Sequence, residues 1–271
     1  MADVLAPVDD WPVDTVGVGI TGAETTLETH GAVEQVLPFA SVTKPLAAYA
    51  VLIAVQDGAL HLDEPAGPEG ATVRHLLAHA SGLNFEGGPL IGEPGSRRGY
   101  SNTGYEVLGD LVAERVGTPF ADHLRHEVLE PLGMGDTVLD GSPAKDGRGT
   151  VADLLAFCRE LLAPRLLDAD LARAATTVAF PGLDGVLPGH GRQIPNDWGL
   201  GFEIKDGKDP HWTGDRLSAA SFGHFGQSGS FIVVDPDAGL GIASLADRPF
   251  GDWSRTAWPP LMDAVIGAYA R

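Results

Sequence analysis

The chain has 271 residues, 44% hydrophobic and 20% charged, a balance that suits a folded globular protein with a substantial core and excludes a disordered one. Eighteen Lys plus Arg against thirty-seven Asp plus Glu give a formal charge of −19, which repels phosphate backbones and anionic membrane surfaces and argues against nucleic-acid and membrane partners. The single cysteine, Cys158, excludes an internal disulfide and a cysteine-built zinc cluster.

Residues 1–7 have neither a basic flank nor a long apolar stretch, so they do not read as a secretory leader, and no run of eighteen apolar residues occurs. The expected location is cytoplasmic. Residues 13–20 alternate and are rich in β-branched side chains, and 25–30 repeat the pattern after a glycine turn, which predicts a hairpin. After Pro38 the period changes. Residues 43–57 are rich in Ala and Leu, with Pro45 in the first turn, Ser41 or Thr43 as cap and Gly58 as stop, and predict a helix. Its surface is apolar nearly all round, so it should lie at the centre of the molecule.

Between about 60 and 195 short helical patterns fall at 72–79, 103–116, 119–129, 150–162 and 168–177, with loops at 141–147 and 180–189. Cys158 lies in the fourth of these and reads as a buried structural thiol. Strand character returns at 198–204, 230–234 and 239–245, and the turn 235–239 predicts that the last two pair as a hairpin. A final helix is expected over 254–270. Strands at both ends with helices between imply an α+β protein whose antiparallel sheet is built from both termini, 1–60 and 196–271, with a mainly helical insertion over 61–195. The cleft between the two is the natural place for a site.

Ser41-Val-Thr-Lys44 opens the central helix. Residues i and i+3 share a helix face, so the Lys44 amine can approach the Ser41 hydroxyl. Serine is a weak nucleophile that needs a base, and Lys44 supplies one if burial keeps its amine neutral. The free N–H groups of the helix N-terminus suit a developing oxyanion. Taken alone, the same four residues equally describe a helix cap.

Two further motifs follow. Tyr100-Ser-Asn102 is preceded by Glu93-Pro-Gly-Ser, and His224-Phe-Gly226 comes just before the strand at 230–234. Together with Leu76-Leu-Ala-His-Ala-Ser-Gly-Leu83 and Glu130-Pro-Leu-Gly-Met-Gly-Asp-Thr137, in this order, the set resembles the serine β-lactamases, penicillin-binding proteins and related esterases. Tyr-Ser-Asn is similar to the class C β-lactamase and carboxylesterase branch. The resemblance implies a serine hydrolase working through an acyl-enzyme on a small ester, with a D-amino-peptidase, amidase or β-lactamase as alternatives and a catalytically silent homologue as the non-enzyme alternative. It implies Ser41 as nucleophile, Lys44 and Tyr100 as proton carriers, and Asn102 as a partner of Lys44 or substrate. His224 takes the cationic or polar place of the third motif, and the N–H groups of Ser41 and Gln227, beside Gly226, form the oxyanion hole. A phenol near an ammonium should ionise more readily. No metal or organic cofactor is implied, and the partner is a small-molecule ester or amide.

His224 and Phe225 depart from the family's usual Lys-Thr-Gly, removing a permanent charge and a hydroxyl, and the chain is short for class C. Trp212, in a polar loop, and Phe225 are expected to line the pocket. His75 and His79 lie four apart as in a zinc helix, but lack the accompanying Glu and a third ligand, so packing is expected. His123 and His126 read as a solvated helix face. Ser228, in Gly226-Gln-Ser-Gly-Ser230, precedes a strand rather than a helix and is disfavoured as nucleophile.

Overall fold

In the computed structural model β1 (Val16–Thr21) and β2 (Thr26–Gly31) form the expected hairpin, followed by β3 (Leu37–Pro38), a 3-10 turn (Ala40–Val42) and α1 (Thr43–Gln56). Then come α2 (Val73–Leu77), α3 (Asn102–Val116) and α4 (Phe120–Leu124), which runs through a π turn (Arg125–Leu129) into α5 (Glu130–Leu132). β4 (Val138–Leu139) and β5 (Gly147–Gly149) complete a small sheet with β3, ahead of α6 (Val151–Leu162) and α7 (Ala169–Thr176). The chain closes with a hairpin of β6 (Gly185–Leu187) and β7 (Gly191–Gln193), then β8 (Glu203–Ile204), β9 (Phe222–Gly226), β10 (Ser230–Asp235), β11 (Leu240–Ala246) and α8 (Asp252–Tyr269). Residues 4–270 are described, so the first three residues of the segment read for a leader lie outside them. Among the described residues no helix is long and apolar enough to cross a membrane.

The main sheet is antiparallel, in the order β2-β1-β11-β10-β9-β8, and draws its strands from both ends of the chain as expected. Both faces are covered, so β10 and β11 are apolar without a polar side. Alternation along β10 sends Phe231 and Val233 to one core with Trp212, Trp258 and Met262 of the α8 side. Ile232 and Val234 go to the other, which α1 and α6 complete. α1 is buried from Thr43 to Ala54. α6, although it falls within 61–195, packs on β1, β10 and β11. It sits close because the sheet offers glycine: a Cβ on Gly241 would lie 2.7 Å from Cys158 Cβ. Cys158 is fully buried, and burial pushes its thiol up to about 12.

Several local expectations change. Neither Ser41 nor Thr43 caps α1. The 3-10 turn begins upstream, Val42 holds the N-cap position, and Thr43 Oγ1 donates to Ala40 O at 2.7 Å. α2 stops at Leu77 because His79 adopts φ 55°, a left-handed conformation that ends a helix. Of residues 198–204 only Glu203 and Ile204 form a strand, while the loop at 180–189 contains β6. His123 is buried, with Nε2 3.0 Å from Ala50 O, and only His126 of that pair faces solvent. A helix of this length turns one imidazole inward onto α1, which a charged neighbourhood in sequence conceals.

Candidate active site

Ser41 sits inside the 3-10 turn, one turn ahead of Lys44 on the same helical path. The turn is strained, since Ala40 has φ 45°, a region that costs a non-glycine residue about 1–3 kcal/mol and is held only by surrounding contacts. Those contacts come from the sheet: Ser230 Oγ donates to Phe39 O at 2.7 Å. A Cβ on Gly226 would fall 2.4 Å from the same carbonyl oxygen, so the third motif must end in glycine for β9 to reach the turn.

Lys44 is fully buried. Its Nζ donates to Asn102 Oδ1 at 2.6 Å and Ala144 O at 2.9 Å, lies 3.5 Å from Ser41 Oγ, and stands 4.6 Å from the centre of the Tyr100 ring. Burial lowers its proton affinity from the ordinary 10.5 to about 7, against the upward pull of Glu86 and Glu106 and with the help of Lys145. A neutral amine has two N–H groups and one lone pair. Asn102 and Ala144 take the two N–H groups, which leaves the lone pair for the hydroxyl of Ser41.

Tyr100 Oη lies 3.4 Å from His224 Nε2. Burial pushes the phenol well above its ordinary range, outweighing the hydrogen bond with Ser41 that lowers it. The expected easy ionisation beside an ammonium is therefore corrected: Tyr100 rests protonated, because desolvation penalises the phenolate more than its neighbours favour it. Of the two places open to His224, cationic or polar, it takes the neutral polar one. It is buried, its Nδ1 is 2.7 Å from Phe225 O, and burial, followed by the Lys44 charge, lowers it to about 3. With Nδ1–H donated to that carbonyl, Nε2 presents a lone pair to Tyr100.

Gln227 follows Gly226 in the turn joining β9 to β10. Gly229 N donates to Gly226 O at 3.0 Å, and the trans peptide then directs the Gln227 N–H the opposite way, out of the turn. Ser41, Tyr100, Trp198, His224, Phe225 and Gln227 share the lining of one cavity of about 530 Å3. Its outer wall carries Phe85, Ile91 and Val186, which are 48%, 37% and 56% exposed. The cavity draws on both the 61–195 stretch and the sheet-bearing ends.

Trp212 is not in this lining. It packs in the core behind Phe225, ring centres 5.6 Å apart, because its loop folds under the sheet and its indole N–H donates to Glu203 Oε2 at 2.9 Å. Trp198 takes the pocket place instead. His79 and His75 pack as expected: the His79 ring lies tilted against Tyr100 with centres 4.5 Å apart, and His75 stacks on Phe180 with centres 4.3 Å apart. Among the described residues no group of three or more His, Cys, Asp or Glu is placed to hold a metal ion.

Three contributors escape a reading of the sequence. Arg98 is buried, and its guanidinium donates to the carbonyls of Ala78, Ala179, Phe180 and Asn196 at 2.6–3.2 Å, pinning the pocket loops together. Glu203 lines the cavity with its carboxylate 2.5 Å from Lys208 Nζ and 2.8 Å from His211 Nε2. Burial alone would raise it, but His211 and Lys208 together hold it at about 2. Glu86 reaches Asn102 from the surface, Oε1 to Nδ2 at 2.7 Å. Their only signal in sequence is the loop position of Arg98 and Glu86 beside the Tyr-Ser-Asn motif.

Known proteins are similar to this chain in sequence and fold. The crystal structure of a beta-lactamase from Mycobacterium bovis is 50% identical, covers 99% of this chain and 100% of its own, and superposes with a TM-score of 0.97. "Esterase EstB" of Burkholderia gladioli is 33% identical over 144 residues, 36% of each chain. "Penicillin-binding protein 4*" of Bacillus subtilis (strain 168) is 28% identical over 148 residues, 42% of this chain and 33% of its own length. The chain thus spans about a third of the length of these two curated relatives. The family model described as Beta-lactamase matches residues 15–266, and this chain belongs to that family of serine hydrolases.

Proposed function

We propose that this chain hydrolyses a small ester through an acyl-enzyme on Ser41. The observation that carries the reading is the buried Lys44 amine, with both N–H groups of its neutral form engaged and the remaining position facing Ser41 Oγ. Ser41 Oγ bonds to the ester carbonyl carbon as its proton passes to the Lys44 lone pair, and the carbonyl electron pair moves to oxygen, where the N–H groups of Ser41 and Gln227 receive it. Collapse expels the alkoxide, which takes the Tyr100 proton, and the Lys44 ammonium restores that proton. Water then attacks the acyl group and releases the acid and Ser41. His224 Nε2, 3.4 Å away, orients the Tyr100 hydroxyl.

The third motif favours an uncharged substrate: neutral His224 and the Phe225 ring offer a carboxylate neither a permanent charge nor a hydroxyl. A second reading, β-lactam hydrolysis, is supported by the half-identical beta-lactamase of Mycobacterium bovis. The test is turnover of p-nitrophenyl butyrate and nitrocefin by wild type and Ser41→Ala. Ester turnover that falls on the order of 10^3-fold or more in Ser41→Ala, with nitrocefin intact, supports the esterase. Nitrocefin turnover without ester turnover favours the second reading. Full activity in Ser41→Ala removes Ser41 as nucleophile, and two inert proteins favour a silent homologue.

A further inference from the structure

A ring of contacts outside the pocket closes on the same lysine. Lys44 Nζ donates to Asn102 Oδ1 at 2.6 Å, and Asn102 Nδ2 donates to Glu86 Oε1 at 2.7 Å. Glu86 Oε1 pairs with Lys145 Nζ at 3.2 Å, both side chains about half exposed. Lys145 follows Ala144, whose carbonyl accepts from Lys44 Nζ at 2.9 Å. The ring therefore joins α1, α3, the loop after α2 and the loop before β5.

An Asn amide has a donor end and an acceptor end, whereas a carboxylate only accepts. Glu86 thus admits only the Nδ2 end of Asn102, which turns Oδ1 toward Lys44. With the amide reversed, its NH2 would face the amine and one N–H of Lys44 would lose its acceptor. We propose that Glu86 is a positioning residue for Lys44, acting through Asn102, and that its charge, balanced by Lys145, sets how readily the amine takes the Ser41 proton. This rests on the hydrolase reading above for its functional meaning, but not for its geometry.

The charged groups that act on Lys44 come from three elements: Glu86 in the loop after α2, Glu106 on α3 and Lys145 in the loop before β5. Tyr100, Tyr105, His79 and His224 lie around Lys44 itself as neutral rings. Burial is the largest influence on the amine; Glu86 and Glu106 oppose it and Lys145 reinforces it. Because Glu86 and Lys145 are at the surface, solvent screens them, and each should move the Lys44 titration by only about 0.3–0.6 pH unit.

The direct test is carbon-13 NMR titration of lysine-labelled full chain, which holds four lysines, with Lys44 assigned by its absence in Lys44→Met. Glu86→Gln keeps an acceptor for Asn102 but removes the charge, so the Lys44 midpoint should fall; Lys145→Met should raise it; both displacements should shrink at 1 M salt, on the order of a 3 Å screening length. A pH series of Ser41 labelling by a fluorophosphonate should follow the same order. Glu86→Ala, which frees the amide, should also lower the plateau labelling rate, and Glu86→Gln should recover it. Coincident titrations, or displacements in the same direction, overturn the proposal whatever the activity. Opposite displacements in a protein that never labels keep the proposal and overturn the hydrolase reading instead.

Discussion

Replacing Lys44 with Met removes the proton acceptor while keeping an unbranched side chain of similar reach, and its effect on stability can be worked from the structure. The amine is fully buried, and its proton affinity falls from 10.5 to about 7 on folding. At 1.36 kcal/mol per pH unit that is a penalty of about 5 kcal/mol when the folded protein must compete with a fully charged unfolded chain. The unfolded chain keeps this proton up to about pH 10.5, so between pH 7 and 10.5 unfolding takes up a proton and stability rises with pH. At pH 7, where the folded amine is already half deprotonated, the penalty is about 4 kcal/mol, and by pH 9 it has shrunk to about 2 kcal/mol, a relief of roughly 2 kcal/mol. Met never carries the penalty, but leaves Asn102 Oδ1 and Ala144 O without their donor at about 1–3 kcal/mol each. At pH 7 the two effects nearly cancel. Urea unfolding at pH 7 and pH 9 should therefore show wild type gaining about 2 kcal/mol on Lys44→Met, with ester turnover lost at both. A stability difference that does not change with pH would refute the buried-amine account.

Three further outcomes are expected. Because only neutral Lys44 accepts the Ser41 proton, kcat/KM of wild type should reach half its plateau near pH 7 and fall about tenfold per pH unit below it, since the amine then carries its own proton; a profile flat down to pH 5 would remove Lys44 as base. Arg98→Lys replaces a fork serving four carbonyls with a single ammonium. Leaving at least one acceptor unmet should cost about 1–3 kcal/mol, read as a lowered midpoint in urea, and loosen the pocket loops, read as a raised KM. Glu203→Gln takes from Lys208, with 1% of its side chain exposed, the carboxylate it pairs with, and should destabilise by about 3–5 kcal/mol near neutral pH. The wild-type carboxylate is held at about 2, so its contribution is complete above the ordinary 4.5 and drains away as pH falls toward 2, whereas the variant should lack this slope.

What the sequence by itself determined is local. The spacing of Ser41 and Lys44 is a helical i, i+3 relation, which puts them on one face, although Ser41 itself lies in the 3-10 turn ahead of the helix that Pro45, Ala and Leu write into 43–57. The turn at 235–239 likewise committed β10 and β11 to pair, with Phe231 opposite Ser244. The Tyr100-Ser-Asn102 and His224-Phe-Gly226 motifs carried the family, and the strand patterns at the two ends carried the antiparallel sheet built from both termini. Tertiary structure alone decided the environments. Lys44 meets Asn102 from 58 residues away and Ala144 from 100, so its engaged N–H groups follow from how α1, α3 and the loop before β5 pack. The neutrality of His224, the resting proton of Tyr100 and the inward turn of His123 are consequences of burial, which no neighbour in sequence reports. Trp198 and Trp212 are equally aromatic and lie fourteen positions apart; one lines the cavity and the other supports it from behind. That choice depends on which way a glycine-rich loop bends beneath the sheet edge, because side-chain chemistry sets what a residue can do and packing sets what it faces.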